Sequence, residues 1–326
     1  MDTATQRHPK QRVAEHAAPV QNRRRRWWQT EKPLAIVMSL PALLPFVAFS
    51  ILPILYVIYI SFTSYDGITT PTWVGVQNFE TLLHDSSWWE SVKNTFVIGL
   101  FKTVVEIPLA LLMAVLLNRS IRGRSAFIGI YFLPHVMSLA VMGVVFYFLF
   151  RPISGVINGW LQALGIISSE VDWLGSGSTA IASIVIVGVW SGFGINTVFF
   201  LVGMQTIPRD VYESAAIDGA SAWQQFRSIT LPLLGPMMRI VVMLTIVFSL
   251  RSFDLIKTLT DGGPAGETDV MFTYLFGYFF SLDRATQYGY GSALGVGASI
   301  IIAIVSTVYL YFSRNQGNTG GNGGKR

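Results

Sequence analysis

The sequence has no cysteine and few charged residues. With no cysteine among its 326 residues, the chain can form neither disulfides nor thiolate metal sites. Only 13% of its residues are charged, against about 25% in soluble domains. Conversely, 52% are hydrophobic, and the mean hydropathy is +0.50. This composition excludes an ordinary soluble protein and indicates a polytopic membrane protein.

Acidic residues are fewer than basic ones, and the basic residues are unevenly distributed. The chain has 18 Asp and Glu residues against 23 Lys and Arg residues. Most of the basic residues lie before residue 33, in the loop after residue 117, in a central polar loop and in the C-terminal tail. Because positively charged loops stay in the cytoplasm, we predict that these segments, and so both termini, are cytoplasmic. The positive charge then needs no nucleic-acid partner, and we expect none.

Six apolar runs are long enough to cross a bilayer core of about 30 Å. They cover residues 34–60, 94–117, 126–150, 179–205, 236–256 and 289–312. We therefore predict an all-α polytopic membrane protein with six transmembrane helices. The predicted membrane domain, 34–313, lies between a basic, largely disordered N-terminus, 1–33, and a disordered Gly/Asn-rich tail, 314–326. A further apolar stretch, Met271–Phe280, is too short to cross and is interpreted as an interfacial or re-entrant helix.

A polar segment, 206–235, separates the fourth and fifth apolar runs and contains signals for two short helices. Thr206 is expected to cap a first helix that extends to residue 217. Pro208 is tolerated in the first turn of such a helix. Gly219 permits the positive φ that a sharp turn requires.

The second helix of this segment has a start signal and a stop signal. Ser221 and Gln224 have the spacing of a capping box. Pro232 is expected to end the helix, because proline cannot donate the next backbone hydrogen bond. A plain surface connector does not need this much secondary structure. We therefore interpret the polar segment as a docking surface for a cytoplasmic partner.

The sequence also lacks a nucleotide-binding motif. The tail, Gly323-Gly324-Lys325-Arg326, fails the GxxxxGK[ST] pattern because no Ser or Thr follows the lysine and the earlier glycine is missing. No nucleophile–base pair stands out either. We therefore expect that the chain is not an enzyme and has no catalytic residue or ATPase site of its own.

One pattern in the polar segment resembles that of a known family. Membrane subunits of binding-protein-dependent ABC importers carry Glu-Ala-Ala, three residues, Gly, nine residues and Ile-x-Leu-Pro. This chain has Glu213-Ser214-Ala215, Gly219 and Ile229-Thr230-Leu231-Pro232 at that spacing, with Ser214 in place of the first alanine. Further stretches, among them Gly75-Val76-Gln77-Asn78-Phe79 and Thr260-Asp261-Gly262-Gly263-Pro264, resemble the carbohydrate-uptake branch, specifically the maltose-type first permease subunit.

The resemblance implies a fold, a function and a set of partners. The fold is that of type I ABC importer permeases, with six transmembrane helices in the bacterial cytoplasmic (inner) membrane. The function is the import of a disaccharide or oligosaccharide, with this chain forming half of the translocation pore. The implied partners are a second homologous permease subunit, a cytoplasmic ATPase dimer that binds ATP and Mg, an extracytoplasmic solute-binding protein, the sugar and the lipid bilayer. The chain itself would hold no cofactor and no metal.

The resemblance also implies which residues meet the ATPase. Glu213 would pair with a basic residue of the ATPase, Ala215 and Ala216 would allow close packing, and Gly219 would make the turn. The whole implied docking set is Asp210, Tyr212, Glu213, Ser214, Ala215, Ala216, Asp218, Gly219, Ile229, Leu231 and Pro232.

Polar and aromatic residues inside the apolar runs are candidates for the substrate path, because polar groups in a membrane are costly and sugars bind to such groups together with aromatic rings. The predicted set is Trp190, Phe193, Asn196, Arg251, Phe253 and Asp254. Lys102 and Glu106, spaced i, i+4, are interpreted as satisfying each other. Arg251, Asp254 and Lys257, spaced i, i+3, are expected on one helix face, either as a salt-bridge ladder or in gating.

Other functions fit parts of the pattern. The same architecture could import a polyol or glycerol phosphate, and an anionic solute would need Arg251 or Lys257 unpaired in its path. A secondary transporter would need inverted halves and a coupling-ion site at the midplane. Such symmetry is not evident in the sequence, and the polar segment would then have no purpose. A receptor or scaffold without transport is the remaining alternative.

Overall fold

The structure, a computed structural model, describes residues 36, 38–118, 122–153, 155–280 and 286–318, with side chains up to residue 313. The chain divides into two compact units, Met1–Tyr56 and Val57–Arg326. The predicted N-terminal segment, 1–33, lies outside the described residues. The predicted tail lies partly outside them, because the described backbone ends at residue 318.

The described residues are almost entirely helical, as the sequence predicts. In chain order the helices are α1 (Met38–Ile60), α2 (Gln77–His84), α3 (Ser86–Leu117), α4 (Arg124–Val136), α5 (Leu139–Leu149), α6 (Val156–Ala163), α7 (Gly177–Gln205), α8 (Arg209–Ile217), α9 (Ala222–Leu233), α10 (Gly235–Leu250), α11 (Asp254–Leu259), α12 (Met271–Phe280) and α13 (Tyr288–Asn318). Two short strands, β1 (Thr63–Ser64) and β2 (Thr72–Trp73), pair antiparallel. Two segments are π-helical, Val47–Ile51 within α1 and Phe226–Thr230 within α9.

The long apolar helices correspond to the predicted spans. Among the described residues, α1, α3, α7 and α13 are each long and apolar enough to cross a membrane. The pairs α4–α5 and α9–α10 also qualify if each bent pair counts as one span, which gives up to six. The prediction of an all-helical polytopic membrane protein is therefore confirmed. Helix α12 is apolar and short, as expected for a segment that cannot cross alone.

The third predicted span, 126–150, is not one straight helix. Helices α4 and α5 meet at an angle of 94°. Between them Met137 and Ser138 have extended backbone angles, with ψ of 142° and 131°. Pro134 lies in the last turn of α4 and cannot donate a backbone hydrogen bond, which weakens the helix there. The apolar pattern alone did not reveal this break.

The fifth predicted span, 236–256, is also interrupted. Helix α10 ends at Leu250, and α11 begins only at Asp254. The expectation that Arg251, Asp254 and Lys257 share one face is therefore wrong, because i, i+3 spacing brings residues together only along a continuous helix. Instead, Lys257 forms an ion pair with Asp261.

The helices approach one another closely at several glycines. Helix α3 packs along α7 and α10, and α4 also packs on α7. A Cβ atom at Gly194 on α7 would lie 2.0 Å from the carbonyl oxygen of Tyr131 on α4. A Cβ atom at Gly143 on α5 would lie 1.9 Å from Oγ1 of Thr258 on α11. These pairs of helices pack at distances that only glycine allows.

Asp85 ties the start of α3 to α12 and α13. Its Oδ1 caps α3 by accepting hydrogen bonds from the backbone N–H groups of Ser87 and Trp88, at 3.0 and 3.1 Å. Its Oδ2 accepts hydrogen bonds from the hydroxyls of Tyr274 and Tyr290, at 2.7 and 2.6 Å. Partial burial opposes ionisation, but these four hydrogen bonds outweigh it and hold the pKa of Asp85 below its ordinary value.

Replacing Asp85 by alanine should destabilise the protein by about 2 to 4 kcal/mol, because the helix loses its cap and the buried Tyr290 hydroxyl loses its acceptor. Because the pKa is lowered in the fold, this contribution is present at neutral pH and is lost in acid. The measurement is the melting temperature in detergent at pH 7. Asp66→Ala is the matched control, since Asp66 only closes its own exposed loop by binding Ile68 and Thr69. Equal melting temperatures for the two variants would contradict the assignment.

Alanine at Gly194 should also destabilise the protein, by about 1 to 3 kcal/mol, because its Cβ would collide with backbone of α4. Gly129 on α4 is the control: a Cβ there meets no atom within 4 Å. Gly129→Ala should therefore be neutral or stabilising, because alanine favours helix. Opposite signs of the change in melting temperature are expected for the two variants.

Candidate functional site

The polar segment 206–235 folds as two helices, α8 and α9, joined by a sharp turn. Helix α8 starts after Pro208, which is its N-cap and makes no side-chain cap. The prediction that Thr206 caps α8 is wrong, because α7 extends to Gln205 and Thr206 belongs to its C-terminal end. The Thr206 hydroxyl donates a hydrogen bond to the carbonyl of Gly203 in α7, at 2.8 Å.

The predicted turn at Gly219 is confirmed. Gly219 has φ of +83°, in the left-handed region. Its N–H donates to the carbonyl of Ala216 at 3.1 Å, and the N–H of Ala220 donates to the carbonyl of Ala215 at 2.9 Å. These two bonds form a Schellman motif, which satisfies the last carbonyls of α8 and reverses the chain.

The start of α9 is as predicted, but its end is not. Ser221 and Gln224 form a complete capping box. Pro232 does not stop the helix, which runs on to Leu233 before a bend of 68° into α10. The reason is the π turn before the proline: the N–H of Leu231 bonds five residues back to the carbonyl of Phe226. This wider turn accommodates a proline ring that an α-helical turn would exclude.

The side chains of α8 divide into an inner and an outer face. Tyr212 and Ala215 are half-buried, and no residue of α8 is fully buried. The outer face consists of exposed side chains, and we name it the coupling surface: Glu213, Ser214, Ala216 and Ile217. Ile217 is 87% exposed, and Trp223 on α9 is 66% exposed. Asp210, Asp218, Gly219 and Pro232 are also exposed, whereas Ile229 and Leu231 are half-buried.

A buried polar cluster joins three of the long helices. Asn196 on α7 donates hydrogen bonds from Nδ2 to Oε1 of Glu106 on α3, at 2.5 Å, and to Oγ1 of Thr245 on α10, at 3.0 Å. The Lys102 ammonium lies 3.7 Å from Oε2 of Glu106, which confirms the predicted pairing. Gly192 leaves room for the carboxylate, since a Cβ there would lie 2.4 Å from Glu106 Oε1. Thr245 and Gly192 were not found from the sequence, because neither is unusual in an apolar helix.

The other residues predicted for the substrate path fall into two groups. Near the polar cluster on α7, the Trp190 ring contacts Phe146 and the buried Phe193 ring contacts Tyr131, with centroids 5.4 and 5.6 Å apart. The second group lies at the break between α10 and α11 and contains Arg251, Phe253 and Asp254. The Phe253 ring of this group lies 5.1 Å from the ring of Phe276 on α12.

The coupling surface and, apart from Lys102, the polar cluster fall inside a region shared with known proteins. Residues 106–317 match the family described as "Binding-protein-dependent transport system inner membrane component". The chain belongs to this family. It is therefore a multi-pass membrane permease of the ABC importer type, and the resemblance drawn from the polar segment is confirmed.

Individual members of the family are similar over most of their length. A probable ABC transporter permease protein of Pyrococcus horikoshii is 32% identical over 86% of this chain and 96% of its own. The trehalose/maltose transport system permease protein of Thermococcus litoralis is 33% identical over 87% of this chain and 95% of its own. A similar chain is found in the crystal structure of a bacterial ABC transporter involved in the import of the acidic polysaccharide alginate. It is 25% identical, the match covers 89% of this chain and 99% of that one, and the TM-score is 0.77.

A second crystal structure shows the same permease fold. It is the bacterial alginate ABC transporter in complex with an alginate pentasaccharide-bound periplasmic protein. Its matched chain is 24% identical, with a TM-score of 0.76, and the match covers 89% of this chain and 98% of that one. The type I permease fold expected from the sequence is thus confirmed.

Valine at Gly219 should loosen the turn of this permease without any steric clash, because nothing lies within 4 Å of a Cβ there. The strain is that of left-handed backbone, about 1 to 2 kcal/mol. Asparagine tolerates this conformation, so Gly219→Asn should be milder. Hydrogen exchange of the backbone amides of 209–225 in detergent should rise in Gly219→Val and change little in Gly219→Asn. Equal exchange in the two variants would contradict a role for the positive φ.

Proposed function

We propose that this chain is a transmembrane subunit of an ATP-driven sugar importer, in which it forms half of the translocation pore. The similarity to the trehalose/maltose permease and to the alginate transporter supports a sugar as the substrate. Hydrolysis of ATP, with Mg, belongs to a cytoplasmic ATPase dimer, and this chain contributes the docking element. That element is the loop from Glu213 to Pro232.

The observation that carries the proposal is the coupling surface. Its exposed side chains lie on a helix that is held by a Schellman turn and followed by a capping box. An ordered helix that presents a carboxylate, Glu213, one turn from the exposed apolar Ile217 is suited to bind another protein, and α9 adds the exposed Trp223. The small Ser214 and Ala216 allow a partner backbone to approach closely. A connector between two spans needs none of these features.

The proposed partners lie on both sides of the membrane. The positive charge of the loops supports a cytoplasmic position for the coupling surface and for both termini, in a bacterial inner membrane. A periplasmic solute-binding protein would deliver the sugar from the opposite side, as the related alginate complex includes such a protein. A second homologous permease subunit would complete the pore. We include the lipid bilayer among the partners and no nucleic acid.

For the substrate path we propose Trp190, Phe193 and Asn196 on α7 and Arg251, Phe253 and Asp254 at the α10–α11 break. Aromatic rings beside hydrogen-bonding side chains suit the faces and hydroxyls of sugars. The amide nitrogen of Asn196 is engaged by Glu106 and Thr245. A sugar hydroxyl would therefore have to exchange with one of these partners.

One observation favours an anionic solute as a second candidate. Lys257 is paired with Asp261, whereas Arg251 is exposed and makes no ion pair within the described part of the chain. A free guanidinium at a break between two helices is suited to bind a carboxylate or phosphate. An acidic oligosaccharide, or glycerol phosphate, would then be preferred to a neutral disaccharide. Stimulation of ATPase activity by maltose but not by an alginate oligosaccharide would exclude this alternative.

Glu213→Lys tests the docking proposal. Reversing this exposed charge should weaken co-purification of the ATPase with the tagged permease and reduce sugar uptake by at least about tenfold, because like charges would face each other across the contact. Glu80→Lys is the control, since Glu80 is equally exposed but lies on α2, outside the coupling surface. Normal co-purification and uptake in Glu213→Lys would overturn the proposal.

A further inference from the structure

A single side-chain hydrogen bond connects α8 and α9, the two helices of the polar segment 206–235. The Tyr212 hydroxyl on α8 lies 2.9 Å from Oγ1 of Thr230, the last residue of the π turn in α9. Thr230 is only 7% exposed. The Tyr212 ring packs against the buried apolar cluster that includes Ile207 and Leu234. The bond is therefore partly shielded from water, and a shielded hydrogen bond is stronger than one at an exposed surface.

The same hydrogen bond belongs to a series of contacts that extends to the residue after the Gly219 turn. The Thr230 hydroxyl also lies 3.4 Å from the carbonyl oxygen of Gln225. The Gln225 side chain in turn donates from Nε2 to the carbonyl of Ala220, at 3.1 Å. The network links the inner face of α8, the π turn and the residue that follows the turn.

Helix α8 has few other attachments. In the described structure only Tyr212 and Ala215 of its residues are partly buried, and Ala215 has no polar side-chain atom. Beyond Thr230, the chain continues directly through Leu231–Leu233 into α10. Leu234 at the bend is 1% exposed, and a Cβ at Gly203 of α7 would lie 2.8 Å from its Cδ2. Among the described residues, the Tyr212–Thr230 hydrogen bond is thus the one side-chain hydrogen bond that connects α8 to the helix leading into α10.

We propose that Tyr212 and Thr230 are positioning residues that transmit a displacement of the coupling surface to α10. This inference rests on the proposed docking of the ATPase, and it adds how docking is converted into movement of a span. Without the bond, α8 would move on its own when the ATPase closes, and α10 would follow incompletely. Hydrolysis would then continue with less transport for each ATP.

The test removes each hydroxyl while keeping the side-chain shape, with Tyr212→Phe and Thr230→Val in the full permease complex reconstituted with its ATPase and binding protein. The ATPase should still co-purify, because the coupling surface is unchanged. The maximal rate of uptake should fall about threefold to tenfold, which corresponds to one net hydrogen bond. The half-saturating sugar concentration should stay unchanged, and the ATP hydrolysed per sugar should rise. Maltose, trehalose and an alginate oligosaccharide are the sugars to be used.

Three further variants separate coupling from simple loss of stability. Ser228→Ala removes an exposed hydroxyl from the same π turn and should behave as the unaltered protein. Thr230→Ser keeps the hydroxyl and should restore coupling. The double variant Tyr212→Phe/Thr230→Val should be no worse than either single one, because both remove the same bond. Additive losses, or failure of Thr230→Ser to restore coupling, would overturn the inference.

The absence of cysteine permits a readout that needs no sugar and no ATPase. Ile217→Cys would be the only thiol in the chain and can carry a nitroxide at an exposed position. Its rotational mobility should increase when Tyr212→Phe or Thr230→Val is added, and not with Ser228→Ala. If all these variants give equal mobility, the bond does not hold α8. If Glu213→Lys leaves uptake unchanged, the proposed docking of the ATPase is wrong. If Glu213→Lys abolishes uptake but Tyr212→Phe and Thr230→Val behave like Ser228→Ala, docking stands and only the proposed transmission is wrong.

Discussion

A chain in a bilayer must satisfy its backbone hydrogen bonds internally, and this constraint governs where the helices of this permease can bend. Each interruption keeps local hydrogen bonds. At the α4–α5 break the N–H of Met137 bonds to the carbonyl of Pro134. At the end of α10 the N–H of Ser252 bonds to the carbonyl of Ser249, and the π turn of α9 bonds Leu231 to Phe226. The bends therefore follow tightened or widened turns and not unstructured backbone.

Polar side chains inside the membrane helices also find their partners within the protein. Glu106 pairs with Lys102 and accepts a hydrogen bond from Asn196, which also donates to Thr245, so these contacts join α3, α7 and α10. An unpaired carboxylate in this environment would be costly, so the cluster holds the three helices in one register. On α7 it also lies near Trp190 and Phe193, two of the aromatic residues proposed for the substrate path. A change in the relative tilt of these helices must rearrange these bonds.

The proposed docking and the proposed transmission use opposite faces of one short helix. Glu213 and small side chains are exposed on the outer face of α8, while Tyr212 on its inner face is hydrogen-bonded to Thr230. The inner bond lies in the turn that leads through the 68° bend into α10. In the proposed mechanism, a force on the outer face of α8 would therefore reach α10 through its inner face. The half-buried position of Ala215, beside the exposed Ala216, follows from the same division of faces.

The sequence alone determined the properties that depend on local patterns. Composition and long apolar runs predicted an all-helical membrane protein, and Gly219 with Ser221 and Gln224 predicted the turn and the second helix start, because such signals act within a few residues. The tertiary structure alone decided the features that depend on distant neighbours. These are the 94° break, the separation of Arg251 from Lys257 and the helix that continues through Pro232. They also include the meeting of Asn196 with Glu106 and Thr245, and of Tyr212 with Thr230. Long-range packing determines which side chains face each other, and apolar periodicity does not encode that choice.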